Sequence, residues 1–354
     1  MKEQKKDKSQ FLTNFLRGLM VYGVSIFLAF VIISFFIALL GYNIPRALQT
    51  LITTSFRSTF GFQETIKKTI PLIFTTYAFT IPFMIRFFNI GGWGQMLFGG
   101  TMTAVVGLLL VNVALPSYMM IPLLLIVGIL SGGFFALIAG FLKAKHNINP
   151  IISTIMLNFV AYLFVNFIAT APLFKDPLEG HPITKPLPDS AMLGFFKGIP
   201  YSIFLAIIAI IFVFIILKKT KLGYEITSVG YNPSAAQTYG INFQKTIMLT
   251  FLIGGALAGL GGSLEVINIH GKLIEGFAKT SGAQYGIFGI LTGLVVAGNP
   301  LAVPISAFLI SVLLVGADSL QRTMQIPVEM VFFSQAIIVL SIVTIREKLS
   351  RGGK

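Results

Sequence analysis

Residues 18–40 read GLMVYGVSIFLAFVIISFFIALL, a run without one charged side chain and rich in Ile, Phe, Leu and Val. At about 1.5 Å per residue, a helix of this length crosses a hydrocarbon core of about 30 Å. A buried helix of a soluble protein is the alternative, but similar runs recur along the whole chain. The run is too long for a signal-peptide core, and no A-x-A-like site closes it, so it reads as a retained span.

The 354 residues are 55% hydrophobic and only 11% charged, whereas soluble domains carry about 25% charge. Ten apolar stretches follow, at 19–41, 69–88, 94–115, 119–142, 150–171, 200–218, 246–267, 283–298, 301–316 and 327–345. The predicted fold is all-α: a polytopic integral membrane protein of about ten transmembrane helices, eight at the fewest. Residues 1–18 form a basic tail, 19–345 the transmembrane domain and 346–354 a second tail. Two interruptions stay open. Phe88–Gln95 is either a turn between spans or a break in membrane-buried backbone, and Gly298-Asn299-Pro300 is either a turn or a broken helix.

The net charge of +14 is spread over the ends of apolar runs, as in Lys218-Lys219-Thr220-Lys221, which excludes a nucleic-acid partner in favour of basic loops. With the N-terminus inside, the cytoplasmic segments carry 16 Lys and Arg against 10 outside. Both termini are therefore expected in the cytoplasm, and the Pro-rich segment 172–200 outside. The basic N-terminal tail is attracted to anionic membrane lipid.

No G-x-x-x-x-G-K-[ST] loop is present to cradle phosphates, and His146, His181 and His270 lie far apart with no H-E-x-x-H pair. No catalytic residue, metal ligand or cofactor is expected. Glu265 and Glu329 fall near span ends and read as reaching the outer interface. The spans lack central charges, which argues against proton coupling, so energy comes from elsewhere.

Between the sixth and seventh spans, Asn232-Pro233-Ser234 supplies an N-cap and a proline for the first turn. Ser234–Tyr239 is then one short helix, and Gly240 ends it left-handed. This helix is either an ordinary interfacial connector or a docking element. In the spans, Asn158, Asn166, Gln284 and Gln335, with Asn89 and Trp93 at the break, either bond helix to helix or line a route.

The stretch Gly223–Ile241, with Gly230, Asn232, Ala235, Ala236 and Gly240, resembles the cytoplasmic coupling loop of ABC-importer permeases for branched-chain amino acids, simple sugars and nucleosides. Other motifs agree in order. Phe88-Asn89-Ile90-Gly91 with Gly94-Gln95 is similar to the family's F-N-I-G-x-x-G-Q, and Ser153–Asn158 and Gly254–Gly262 also match. The resemblance covers roughly residues 70–345. It departs at Gly92-Trp93, where a small–acidic pair is common, and at Pro150, where Glu is common.

The resemblance implies a non-enzymatic permease of the bacterial inner membrane, with a separate ATP-binding subunit docking on Gly230, Asn232, Pro233, Ala235, Ala236 and Gly240. It also implies a second permease subunit, in a heterodimer, and an extracytoplasmic solute-binding protein. Asn89, Trp93, Asn158 and Gln284 are the candidate pathway residues. Amides without charge suit a neutral polar solute. Trp93 offers a face for base stacking and so favours a nucleoside, with a simple sugar as the alternative; its competing role is an interfacial anchor. A stand-alone channel or secondary transporter is the remaining reading. The spacings Gly128-x-x-x-Gly132, Gly255-x-x-x-Gly259 and Gly289-x-x-x-Gly293 predict close helix crossings.

Overall fold

The computed structural model describes residues 41–275 and 283–326 apart from Ala114 and Ala297, with residues 31, 34–39, 333, 336–337, 340–341 and 344. The expected spans 19–41 and 327–345 fall largely outside the described residues, as do the two tails, Glu329 and Gln335. The chain divides into two units, residues 1–62 with 312–354, and residues 63–311.

In the first unit, α1 (Ile44–Arg57) starts on an Asn43 cap that accepts from Arg46 N at 3.0 Å. Its buried face, Ala47, Leu51 and Ser55, recurs every fourth residue, as an amphipathic helix requires. It lies antiparallel to residues 312–325: Ser55 Oγ donates to Val312 O at 3.3 Å, and Tyr42 Oη donates to Gln325 O at 3.3 Å. The sequence analysis did not anticipate this helix, because its apolar stripe is interrupted by Arg, Gln and Thr.

In the second unit, α2 (Thr59–Phe83, entering from the first), α3 (Gly92–Leu109), α4 (Ser117–His146) and α5 (Pro150–Thr170) follow in order. Asn149 caps α5 ahead of Pro150, accepting from Ile151 N at 3.0 Å. Residues 171–201 are turns, a 3₁₀ turn and the two-residue hairpin β1 (Phe195–Phe196) and β2 (Ile199–Pro200), in keeping with the expected irregular loop. Then come α6 (Ser202–Lys219), α7 (Lys221–Tyr231), α8 (Pro233–Thr238) and α9 (Phe243–Leu264), which continues as a π-helix over Glu265–His270. The last elements are α10 (Ala283–Val295), a 3₁₀ turn at Pro300–Ala302 and α11 (Val303–Met324), which leaves this unit at Ser311.

Among the described residues five helices are long and apolar enough to cross a membrane: α4, α5, α6, α9 with its extension, and α11 with its 3₁₀ turn. The expected count of about ten is therefore not reached on these grounds. α2 and α3 are long but diluted by Thr, Gly and Lys. α10, at 13 residues, rises only about 20 Å and falls short of a crossing. At Gly298 the backbone turns with φ +74°, and Asn299 caps the next turn by accepting from Leu301 N at 3.2 Å, so the helix ends before this interruption and a new one starts after it.

α9 is the centre of this unit. Its most apolar window is 67% buried, against 28% for α6. Glycine makes this possible. A Cβ at Gly259 would fall on the Gly128 carbonyl and 2.8 Å from Gly132 Cα, and one at Gly99 would meet Gly259. Three backbones, α3, α4 and α9, thus meet without side chains between them. Beside the crossing, the Thr103 and Ser263 hydroxyls lie 2.7 Å apart, and Thr103 Oγ1 donates to Leu124 O at 3.3 Å. The predicted crossings at 128/132 and 255/259 are the core of the unit.

Candidate functional site

Pro82 has no N–H, so the carbonyl of Ala78, one turn back in α2, loses its helical donor. Asn89 supplies the replacement: its Nδ2 donates to Ala78 O at 2.9 Å. For that contact the chain must fold back along α2 after the helix ends at Phe83. It turns at Arg86, whose φ is +64°, and runs back through Phe87–Gly91. α3 then begins at Gly92, where a Cβ would lie 3.4 Å from Ala78 Cβ and 3.5 Å from Thr75 O. The chain folds back on α2 here, and Asn89, Gly91 and Gly92 are buried in protein.

Apart from the Trp93 indole, the side-chain amides of this break are hydrogen-bonded. Asn89 and Gln95 exchange a pair of amide bonds at 3.1 and 3.0 Å, and Asn89 Oδ1 also accepts from Gly91 N at 3.0 Å. From α5, Asn158 Oδ1 accepts from Gly94 N at 2.8 Å and its Nδ2 donates to Ile90 O at 3.0 Å. Thr154 Oγ1 accepts from Ile90 N at 3.2 Å. The F-N-I-G-x-x-G-Q and S-T-I-M-L-N motifs are therefore two halves of one lock. Asn89 is fully buried and Asn158 nearly so; both serve helix-to-helix bonding here.

Trp93 is different. It is half-buried, its ring centroid lies 6.3 Å from that of Tyr162, and its Nε1 is enclosed with no hydrogen-bond partner among the described residues. Asn166, one turn beyond Tyr162 on α5, has an enclosed Oδ1 in the same condition. α10 packs behind Trp93: a Cβ at Gly286 would meet Trp93 Cβ, and those at Gly289 and Gly293 would meet Thr75 and Phe79. The third predicted crossing, 289/293, is thus against α2. Gln284 is the second residue of α10, and its side chain lies outside the described residues. Tyr162 escaped the sequence reading. Its signal was the spacing Thr154–Asn158–Tyr162–Asn166, one residue per turn on one face of α5.

An apolar cavity of about 520 Å³ opens between α4, α6 and α9, lined by residues such as Leu130, Phe212 and Leu257. Its lining presents no polar side chain, so it does not suit a polar solute.

At the opposite end of the break, the close approach is between the turn after α2 and the end of α7. A Cβ at Gly230 would fall on the Met84 carbonyl, and Arg86 Nε donates to Gly230 O at 3.2 Å. Lys221–Tyr231 folds as a helix ahead of the short one; Thr220 Oγ1 caps it by accepting from Gly223 N at 3.3 Å. α8 lies within a residue of its expected bounds. Asn232 Oδ1 accepts from Ala235 N at 3.0 Å, Pro233 opens the helix, and Gly240 follows it with φ +82°. Ala236 is buried, while Pro233, Ala235 and Gln237 are exposed, flanked by Tyr231 and Tyr239 at 83% and 86% exposure. Two large aromatic rings left in solvent beside a capped helix form a surface suited to a protein partner.

Glu265, expected near a span end, is enclosed by protein. It is 4% exposed, within the π-helix, with Oε2 3.4 Å from His270 Nε2. The segment is stitched to the 171–201 loop: Asn268 Nδ2 donates to Gly194 O at 2.8 Å, and Asn268 Oδ1 accepts from Ser202 N at 3.1 Å.

The family described as "Branched-chain amino acid transport system / permease component" matches residues 61–342. The chain belongs to this family. Among curated proteins it is 30% identical over 341 residues to the nucleoside ABC transporter permease of Lactococcus lactis subsp. cremoris, covering 94% of this chain and 92% of that one. It is 29% identical to the glucose ABC transporter permease of Haloferax volcanii (87% and 83%) and to the guanosine ABC transporter permease of Bacillus subtilis (85% and 86%). No solved structure matches. The chain is a multi-pass permease subunit of the sugar and nucleoside class of ABC importers, a family that works with an ATP-binding subunit and a solute-binding protein.

Proposed function

We propose that this permease forms half of the membrane pathway of a nucleoside importer, paired with a second, different permease subunit. Residues 19–345 are the transmembrane domain, and the tails 1–18 and 346–354 face the cytoplasm of a bacterial cell, on the side of α7 and α8. The permease itself hydrolyses nothing. A separate ATPase docks on α8, through Asn232, Pro233, Ala235 and Ala236, between Gly230 and Gly240.

The observation that carries the solute class is the Trp93–Tyr162 pair with an enclosed indole N–H that has no partner among the described residues, and an Asn166 oxygen in the same condition one turn from Tyr162. Aromatic faces with one donor and one acceptor, and no charge, match a nucleobase better than a zwitterion. The full-length likeness to a nucleoside permease supports the same reading. In this reading Asn89 and Asn158 hold the break whose first turn bears Trp93, and Gln284 begins the helix behind it. A simple-sugar cargo is the second reading, favoured by the likeness to a glucose permease.

The test is uptake of a labelled purine nucleoside by cells expressing the whole system, competed with excess unlabelled nucleoside, ribose or galactose. Competition by nucleosides alone supports the proposal. Competition by free sugars alone assigns the sugar cargo instead.

A further inference from the structure

The fold-back after α2 and the α7–α8 segment touch at two points that bracket α8. On the N-terminal side, Arg86 Nε donates to Gly230 O, and Gly230 lacks the Cβ that would strike the Met84 carbonyl. On the C-terminal side, the Phe87 ring lies 6.3 Å from that of Phe243, the first residue of α9, and Lys143 Nζ stands 5.1 Å over Phe87. Two residues later the chain enters the Asn89–Gln95–Asn158 lock, which is fully hydrogen-bonded. A short, satisfied segment between two rigid elements does not absorb a displacement; it passes it on. Arg86 needs its left-handed backbone, φ +64°, to make the turn from which this bond is made.

We infer that Arg86 is the positioning residue that transmits movement of α8 to the buried break, and through Asn158 to α5 and the Trp93–Tyr162 pair. The inference rests on the reading of α8 as the ATPase docking helix. It assigns the step between that docking and the opening of the pathway to a single guanidinium–carbonyl contact with an aromatic backstop at Phe87.

The test uses the complete reconstituted transporter in liposomes, with uptake and ATP hydrolysis measured on the same preparation. The chain contains no cysteine, so Gln237→Cys is a unique crosslinking site for the ATPase. With Arg86→Ala, the crosslink and ATP hydrolysis are retained while uptake per ATP falls about tenfold, the scale of one lost charge-assisted hydrogen bond. Arg86→Lys, which keeps a charged donor, recovers part of the loss. Wild-type uptake per ATP in Arg86→Ala, with the crosslink intact, overturns the role of Arg86 and leaves the docking reading standing. Absence of the crosslink without any change at Arg86 overturns the docking reading and the inference together. A measurement on the unsubstituted chain guards against a variant that does not fold. Amide exchange at Ile90–Gly94 must differ between nucleotide-free and ATP-trapped states, and identical exchange also overturns the proposal.

Discussion

Asn89 and Gln95 hold one another by two amide hydrogen bonds, at 3.1 and 3.0 Å, across the first turn of α3. The pair spans six positions in sequence at the point where Pro82 has left Ala78 O without its helical donor. Asn89→Leu keeps the approximate size but strands Ala78 O, Gly91 N and both ends of the Gln95 amide in a buried site. We expect a loss of about 2–4 kcal/mol of stability, read as a lower unfolding temperature in nanodiscs. Gln95→Leu strands fewer groups and should cost less. Equal stability of Asn89→Leu and the unsubstituted protein would contradict the assignment.

Gly240 tests the docking helix by backbone alone. Its φ is +82°, and no atom lies within 4 Å of where a Cβ would stand. Gly240→Val therefore meets no steric obstacle, and its cost is the left-handed conformation, about 1–2 kcal/mol for a side chain there. The expected result is normal membrane abundance with lowered uptake and lowered stimulated ATP hydrolysis. Gly240→Asn should lose much less, because Asn tolerates that region. Wild-type uptake in the Val variant would remove Gly240 from coupling.

The sequence carried the architecture of this region further than its chemistry. The motif Asn232-Pro233-Ser234 announced α8 because capping is local, and the G-x-x-x-G spacings announced the α4–α9 crossing because helix periodicity is local too. The break at Phe88–Gln95 was legible as a break, but its direction was not. That depends on Pro82 freeing a carbonyl that a residue seven positions downstream then claims. For Asn89 and Asn158 the sequence left both roles open for the same reason: a polar residue in an apolar run gives no sign of whether its partner is a solute or a backbone, and the structure shows their backbone partners. Arg86 was invisible, since an arginine at a span end is what any cytoplasmic boundary provides. α1 was missed because its Arg and Thr residues broke the apolar run that marks a span.

Gly259 measures how much the close approach of three helices is worth. A methyl group at this position would overlap the Gly128 carbonyl and crowd Gly132. Backbone cannot yield as a flexible side chain does, so α4 and α9 must separate. Gly259→Ala is expected to cost roughly 1–3 kcal/mol, as overpacking does in other tight cores. Gly180→Ala, in the 171–201 loop with nothing within 4 Å, is the matched control and should stay within about 0.5 kcal/mol of the unsubstituted protein. Thermal unfolding of both variants in the same nanodiscs decides the matter; similar shifts in the two would mean that the crossing is not tight.

Trp93 separates a role in transport from a role in packing. Its Cβ is pressed against Gly286, so the residue anchors α10 whatever it binds, and truncation to Ala would confound the two. Trp93→Phe keeps an aromatic face towards Tyr162 and removes the pyrrole part of the ring with its enclosed N–H, which has no partner among the described residues. If that N–H meets no solute, its loss leaves transport unchanged, because no acceptor for it lies among the described residues. If it meets the solute in transit, uptake falls while stability does not. We expect nucleoside uptake by Trp93→Phe to drop about tenfold, the scale of a hydrogen bond worth about 1.5 kcal/mol in a dry site. Trp93→Leu removes the stacking face as well, worth about 1–3 kcal/mol per base in other settings, and should fall further. Binding of solute by the extracytoplasmic protein and ATP hydrolysis without solute should both be unchanged. Uptake equal to wild type in Trp93→Phe and Trp93→Leu alike would make Trp93 a packing residue and withdraw the stacking argument for a nucleoside.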